Sequence, residues 1–305
     1  MTIFRWLGAI AILLAASVSI PNAQARTSPC AIAPAGKPGL VTIPGTGRAL
    51  LLYRPTGLAP DKPAPLILLF HGSGGSARAV LDRSRLAETA DRNGFIIAAA
   101  DGGIAMKTGF VWNIPGVPAV GGRMPIASDA DDVGFVGQAI DWLIAQRCVD
   151  RSRVYATGIS GGGRMASWLG CVDAARFAAI APVVGLRAGN PLAGDPTHPD
   201  PATCRPSRPM PILAFAGDAD TTNPINGGGS PYWQYPMRAA EARWAELNAC
   251  KIPIASRSVA GDVYEEGYTG CRDNADVRVR VTIGGKHDWV VDNDAMWAFF
   301  ATHRR

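Results

Sequence analysis

Five residues, Gly158-Ile159-Ser160-Gly161-Gly162, constrain this chain more than any other segment because of what lies on either side of them. Before them stands a run of strand formers, Arg153-Val154-Tyr155-Ala156-Thr157. After them comes a helix-forming run, Arg164-Met165-Ala166-Ser167-Trp168-Leu169. Gly-x-Ser-x-Gly between a strand and a helix predicts a sharp elbow with the serine at its tip. Such a turn strains the serine's dihedrals and leaves no room for side chains two residues to either side, where glycine fits. The Ser160 hydroxyl is then held out at the carboxyl end of a sheet. Taken alone the string is weak evidence in a chain with 35 glycines, and it also reads as a glycine-rich helix start. Three independent features add weight: a strand ending in His71-Gly72, the carboxylates Asp218 and Asp220, and a late histidine, His287.

The rest of the pattern alternates strand and helix. Strands are predicted at Ala49–Tyr53, Leu66–Phe70, Phe95–Ala99, Val154–Thr157, Ala178–Val184, Ile212–Ala216 and Val277–Ile283. Several are continuous apolar runs, as expected of parallel strands buried on both faces. Asp131-Asp132 caps a predicted helix whose apolar stripe is Val133, Val136, Ile140, Leu143 and Ile144. Further helices are predicted near Met237–Leu247 and Asp294–Thr302. The alternation points to a single doubly wound α/β domain, with the proline- and glycine-rich stretches Ile114–Pro125 and Ala188–Pro211 as long loops. In such sheets ligands bind beyond the carboxyl ends of the strands. Ser160, His71, Asp218/Asp220 and His287 all follow predicted strands directly.

The first 25 residues read as a secretory signal peptide: Arg5, an apolar run from Leu7 to Ile20, then Ala23-Gln24-Ala25 as the cleavage site. The run is about 14 residues, short of the ~20 a spanning helix needs, so no stable membrane insertion is expected after cleavage. The catalytic domain is then residues 26–305, with no room for an attached polymer-binding module. Six cysteines lie beyond the cleavage site, which in an exported chain suggests disulfides. Cys250 and Cys271 bracket two probable strands, Ile254–Ala260 and Val263–Glu266. Cys171 ends the helix after Ser160 and Cys204 precedes the next core strand, which leaves Cys30 with Cys148. No Cys-x-x-Cys or close Cys/His cluster suggests a zinc site, and no metal or cofactor is expected. The net charge of +5 is modest and its basic residues are scattered, so nucleic acid is not an expected partner. Nothing in the pattern sets an oligomeric state.

The constellation suggests nucleophilic catalysis. A serine hydroxyl needs an imidazole to take its proton, and the imidazole needs an acceptor to fix its tautomer. Of four histidines, His303 is two residues from the end, where a frayed terminus is expected, His198 lies in a proline-rich loop and His71 precedes the serine. His287 follows a strand through Gly284-Gly285-Lys286 and is the predicted base. For the acid, Gly217-Asp218-Ala219-Asp220 offers two residues; Asp220 has the reach to swing under the imidazole, and Asp218 suits a turn cap. The order Ser160, Asp220, His287 is that of the hydrolase fold. An oxyanion needs two preorganised N–H groups. Gly161, after the serine at a helix N-terminus, supplies one, and Ser73 in His71-Gly72-Ser73-Gly74-Gly75 the other.

These segments, with Asp131-Asp132-Val133-Gly134-Phe135, Asn226-Gly227-Gly228, Trp244, Asn248-Ala249-Cys250 and Gly284-Gly285-Lys286-His287-Asp288-Trp289, resemble the secreted α/β-hydrolases of the polyhydroxybutyrate depolymerase-like and feruloyl esterase-like group. The resemblance implies a secreted serine carboxylesterase of α/β-hydrolase fold, with its acid at Asp220 and its base at His287. The chain departs from the family pattern at Asn223-Pro224-Ile225 and at Trp289-Val290-Val291, both on the substrate side. Trp112 and Trp289 are candidates for an acyl pocket, and the partner is an ester substrate, small or polymer-linked. Feruloyl-type or related plant-polymer or small acyl esters are the first expectation, polyhydroxybutyrate the second. A catalytically inactive binding protein of the same fold is the reading from another class.

Overall fold

In the computed structural model, which describes residues 1–3, 30, 32–59 and 62–305, the strands without a polar face form the centre of the main sheet. The first half of the chain supplies β1 (Gly39–Ile43), β2 (Arg48–Tyr53), β3 (Ala64–Phe70), α1 (Ala77–Ser84), α2 (Leu86–Asn93), β4 (Ile96–Ala100), β5 (Ile104–Ala105), β6 (Phe110–Val111) and α3 (Asp132–Ala145). The second half supplies β7 (Val149–Ile159), α4 (Gly161–Val172), β8 (Ala179–Val183), β9 (Pro191–Leu192), β10 (Asp195–Pro199), β11 (Ile212–Gly217), α5 (Met237–Leu247), β12 (Ile252–Ala260), β13 (Val263–Thr269), β14 (Val277–Thr282) and α6 (Asn293–Ala301). Ten strands join in the order β1-β2-β4-β3-β7-β8-β11-β14-β13-β12. The central six, from β4 to β14, are parallel. The two strands at each edge are antiparallel.

Alternation along the central strands feeds two cores. Leu66, Leu68 and Phe70 of β3 pack with Phe135, Met165 and Trp244, which come from α3, α4 and α5. Ile67 and Leu69 point the other way, onto Val80, Ala90 and Phe300 of α1, α2 and α6. Helices therefore cover both faces, as the continuous apolar runs require. Towards the edge the demand relaxes: in β14 Val277, Val279 and Val281 are buried, and Arg278 and Arg280 between them are half-exposed. Side-chain caps start α1, α3 and α6. Asp131 accepts from the Gly134 N–H at 2.8 Å and Asp292 accepts from two N–H groups of α6.

Three disulfides, Cys30–Cys148, Cys171–Cys204 and Cys250–Cys271, tie the amino-terminal segment, the long segment after β8 and the β12–β13 hairpin to this frame. The predicted signal peptide lies, apart from Met1–Ile3, outside the described residues. Two expectations need correction. The stretch from Ala188 to Pro211 is not all loop: β9 and β10 pair antiparallel within it, and His198 stands exposed on β10. Nor is the carboxyl end loose. His303 packs on the Phe299 ring at 4.5 Å, and its carbonyl accepts from the Tyr155 hydroxyl at 2.9 Å.

Candidate active site

The elbow exists because three chains of backbone meet there. Ser160 joins β7 to α4 with φ 56° and ψ −115°, a left-handed conformation that few residues other than glycine adopt. Its N–H donates to the Val183 carbonyl of β8 at 2.9 Å, which anchors the turn. A Cβ at Gly162 would lie 2.1 Å from the Phe70 carbonyl oxygen, and one at Gly158 2.6 Å from the same atom. The glycines are thus set by the closeness of β3 and β8, in addition to the turn itself.

The loop after β3 runs beside this elbow. A Cβ at Gly161 would come within 2.6 Å of Ser73 Oγ and 3.1 Å of Ser73 N, so the two predicted donor residues are neighbours. Gly75 N–H donates to the Gly72 carbonyl at 2.9 Å and closes the loop on itself. His71 fixes its base. Its Nε2 accepts from the Gly102 N–H at 2.9 Å, which leaves Nδ1–H to donate to the Gly72 carbonyl at 2.7 Å. Burial depresses the imidazole pKa against the pull of that carbonyl, Asp101 and Asp132, which keeps the ring neutral. Trp112 lies underneath. It is buried, stacks on His71 at 4.7 Å and donates its indole N–H to the His71 carbonyl at 2.8 Å.

One further carboxylate organises this region. Asp132, buried, accepts from the N–H groups of Gly103 and Asn113 and pairs with Arg48 at 2.7 Å. It staples both ends of the β5–β6 loop to α3. Burial raises its pKa in spite of those N–H groups and Arg48.

Asp220 and His287 come together at the carboxyl ends of β11 and β14. His287 Nδ1–H donates to Asp220 Oδ2 at 2.7 Å. Asp220 Oδ1 accepts from the N–H groups of Thr222 and Asn223, both at 2.8 Å, so the carboxylate cannot swing. Burial works to raise its pKa, but the His287 and backbone hydrogen bonds prevail and hold it below the usual carboxylate range. Asp218 is exposed and accepts from the Gly284 N–H at 2.6 Å, which bends the loop that carries His287.

Ser160, His287 and the His71–Gly75 loop line one cavity of about 430 Å³. Ser160 and His287 face each other across it and are not hydrogen-bonded. A larger cavity, about 800 Å³, lies at the amino ends of β11 and β14, away from Ser160. Neither Trp112 nor Trp289, the two expected acyl-pocket residues, lines the Ser160 cavity. Trp112 is committed to His71, and Trp289 packs against the α1–α2–α6 core with its indole N–H on Asn293 Oδ1 at 3.0 Å. The wall opposite is α1: Ala79, Val80 and Arg83. Arg83 pairs with Asp288 at 2.7 Å, beside His287. No motif marks these residues; the only signal for them is that α1 starts six residues after His71. Among the described residues no group of three His, Cys, Asp or Glu side chains is placed to hold a metal ion, and no helix is long and apolar enough to cross a membrane.

The chain is similar to known esterases in sequence and in fold. A family model described as "Esterase PHB depolymerase" matches residues 48–198. Feruloyl esterase B of Piromyces equi is 32% identical over 246 residues, an alignment that covers 79% of this chain and 42% of that protein. The chain thus spans less than half the length of that relative. Among solved structures, an acetyl xylan esterase from Aspergillus awamori superposes with a TM-score of 0.60 at 15% identity, over 87% of this chain and 99% of that one. A poly(3-hydroxybutyrate) depolymerase from Bordetella parapertussis gives 0.52 at 19% identity, over 86% and 90%. The two structures share the α/β-hydrolase fold with this chain.

Proposed function

We propose that this chain, which is similar to esterases of the polyhydroxybutyrate depolymerase and feruloyl esterase group, hydrolyses carboxylic esters through an acyl-enzyme on Ser160. The observation that carries this reading is the His287–Asp220 hydrogen bond beside the cavity that Ser160 lines. With Nδ1–H held by Asp220, Nε2 of His287 is the free lone pair on the ring. Ser160 Oγ attacks the ester carbonyl as its proton passes to Nε2. The carbonyl oxygen takes the negative charge and is met by the backbone N–H groups of Ser73 and Gly161. The bond to the leaving oxygen breaks, and that oxygen takes the proton from His287. A water then repeats the sequence on the acyl group, giving the acid and free Ser160. Asp220, fixed by two N–H groups, stabilises the imidazolium that forms in each half. The predicted signal peptide and the three disulfides support a place outside the cytoplasm.

For the acyl group we favour feruloyl-type or related small esters, on the strength of the Piromyces relative. The family description supports polyhydroxybutyrate as the second reading. The deciding experiment is a panel of methyl ferulate, p-nitrophenyl acetate and a polyhydroxybutyrate film. The first reading expects ferulate and acetate turnover with slow film clearing. Rapid clearing without ferulate release would reverse the order, and no turnover of any ester would favour an inactive binding protein.

A further inference from the structure

One turn behind Ser160, on the far side of the elbow from the cavity, two arginines are buried without a counter-charge. Arg164 is in the first turn of α4, and its N–H donates to the Ser160 carbonyl at 2.9 Å. Arg187 follows β8. Each side chain is 7% exposed. The Arg164 guanidinium lies 4.8 Å over the Tyr232 ring, and its Nε has no hydrogen-bond partner among the described residues. That of Arg187 is held between the rings of Trp233 at 3.2 Å and Tyr235 at 4.2 Å. Its Nη1 donates to the Tyr235 carbonyl at 2.8 Å, and its Nη2 is unpartnered. Neither guanidinium pairs with a carboxylate among the described residues.

Buried charges in proteins are normally paired, because removing an ion from water costs more than a stacked ring returns. A lysine in this position could shed its proton; arginine does not do so. The strain shows in both groups. Burial depresses Arg164 to about 10. Arg187 falls to about 9, through burial first, with the charge of Arg164 adding to the effect. The two cations thus repel each other across a shared pocket. Its remaining wall is Ile114, Val117, Trp168 and Pro191, with the unpartnered Oδ1 of Asn190 at its rim. The space between them is small, about 20 Å³, room for one water-sized group.

We propose that Arg164 and Arg187 form an internal binding site for one small monovalent anion, a halide ion. Size excludes a bulky anion, and the aromatic and aliphatic walls favour a weakly hydrated one. The bound anion supplies the missing charge for both guanidinium groups and stiffens the start of α4 directly behind Ser160.

The test is thermal unfolding of the disulfide-bonded protein at constant ionic strength, with sodium gluconate exchanged for chloride or acetate. Gluconate is too large for the pocket and serves as the reference. Chloride should raise Tm saturably by several degrees, as ligand binding to the folded state requires. Acetate, whose four heavy atoms exceed the space, should act like gluconate, and a rise in acetate without one in chloride would overturn the proposal. Arg164→Met should fold and lose the saturable part. If that variant is unstable, a bromide-soaked crystal of the unaltered protein should show an anomalous peak between the two guanidinium groups. Equal Tm in all three salts, an unchanged response in Arg164→Met, or bromide absent from the pocket would overturn the proposal.

Discussion

At the scale of single residues, the elbow depends on missing side chains as much as on present ones. A methyl group at Gly162 would press into the Phe70 carbonyl, which is backbone and held in the sheet by both neighbours of β3. Gly162→Ala should therefore cost about 2–4 kcal/mol of stability and lower ester hydrolysis at least about 100-fold. Gly57→Ala is the control, because a Cβ there meets nothing within 4 Å. Thermal unfolding and p-nitrophenyl acetate turnover check the pair; a Gly162→Ala protein with normal Tm and rate would contradict this packing. The choice between Asp218 and Asp220 is also a residue-scale matter. In the sequence, chain reach, the fit of Asp218 to a turn cap and the family resemblance all favour Asp220 as the acid. In the fold, both carboxylates serve the His287 loop: Asp220 holds the ring and Asp218 holds the turn before it.

At the scale of elements, buried carboxyl groups set part of how stability depends on pH. Asp132 is one. On α5, Glu241 is another, 5% exposed, with its Oε2 unpartnered among the described residues. Burial, helped by the nearby Glu266 and opposed by Arg238, pushes its pKa up to about 8. The folded chain thus holds a proton here that the unfolded chain releases near 4.5. The associated stability is complete below that value and is lost as pH rises to about 8, on the order of 5 kcal/mol at most. Tm should accordingly fall between pH 5 and pH 9 more steeply in the natural protein than in Glu241→Gln, which carries no titrating group. Parallel slopes for the two proteins would remove Glu241 from this role. No helical stripe would have disclosed it: Glu241 sits among Met237, Ala240 and Trp244, and its burial depends on how α5 meets β13 and β14.

For the whole molecule, the central sheet was legible because its strands are apolar on both faces, and their predicted bounds differ from the observed ones by a few residues. β12 and β13 were legible as strands near their observed bounds, but the β9–β10 hairpin was not, since Asp195–Pro199 is largely exposed and carries little apolar pattern. Within the site, residues named by motif lie together at the carboxyl edge. Those named by residue type alone, Trp112 and Trp289, lie elsewhere, because an indole serves a loop or a core as readily as a substrate. The wall from α1 and the arginine pair left no mark in any motif and came only from the way distant segments pack. The proposed ester hydrolysis requires Ser160 Oγ as the acyl-accepting atom. The direct measurement is mass spectrometry of the intact protein and its peptides after reaction with a fluorophosphonate ester. One adduct should form per chain, on the peptide containing Ser160, in step with loss of p-nitrophenyl acetate hydrolysis. Ser160→Ala should keep its Tm and show neither adduct nor turnover. An adduct on another residue, or turnover by Ser160→Ala within tenfold of the natural protein, would contradict it.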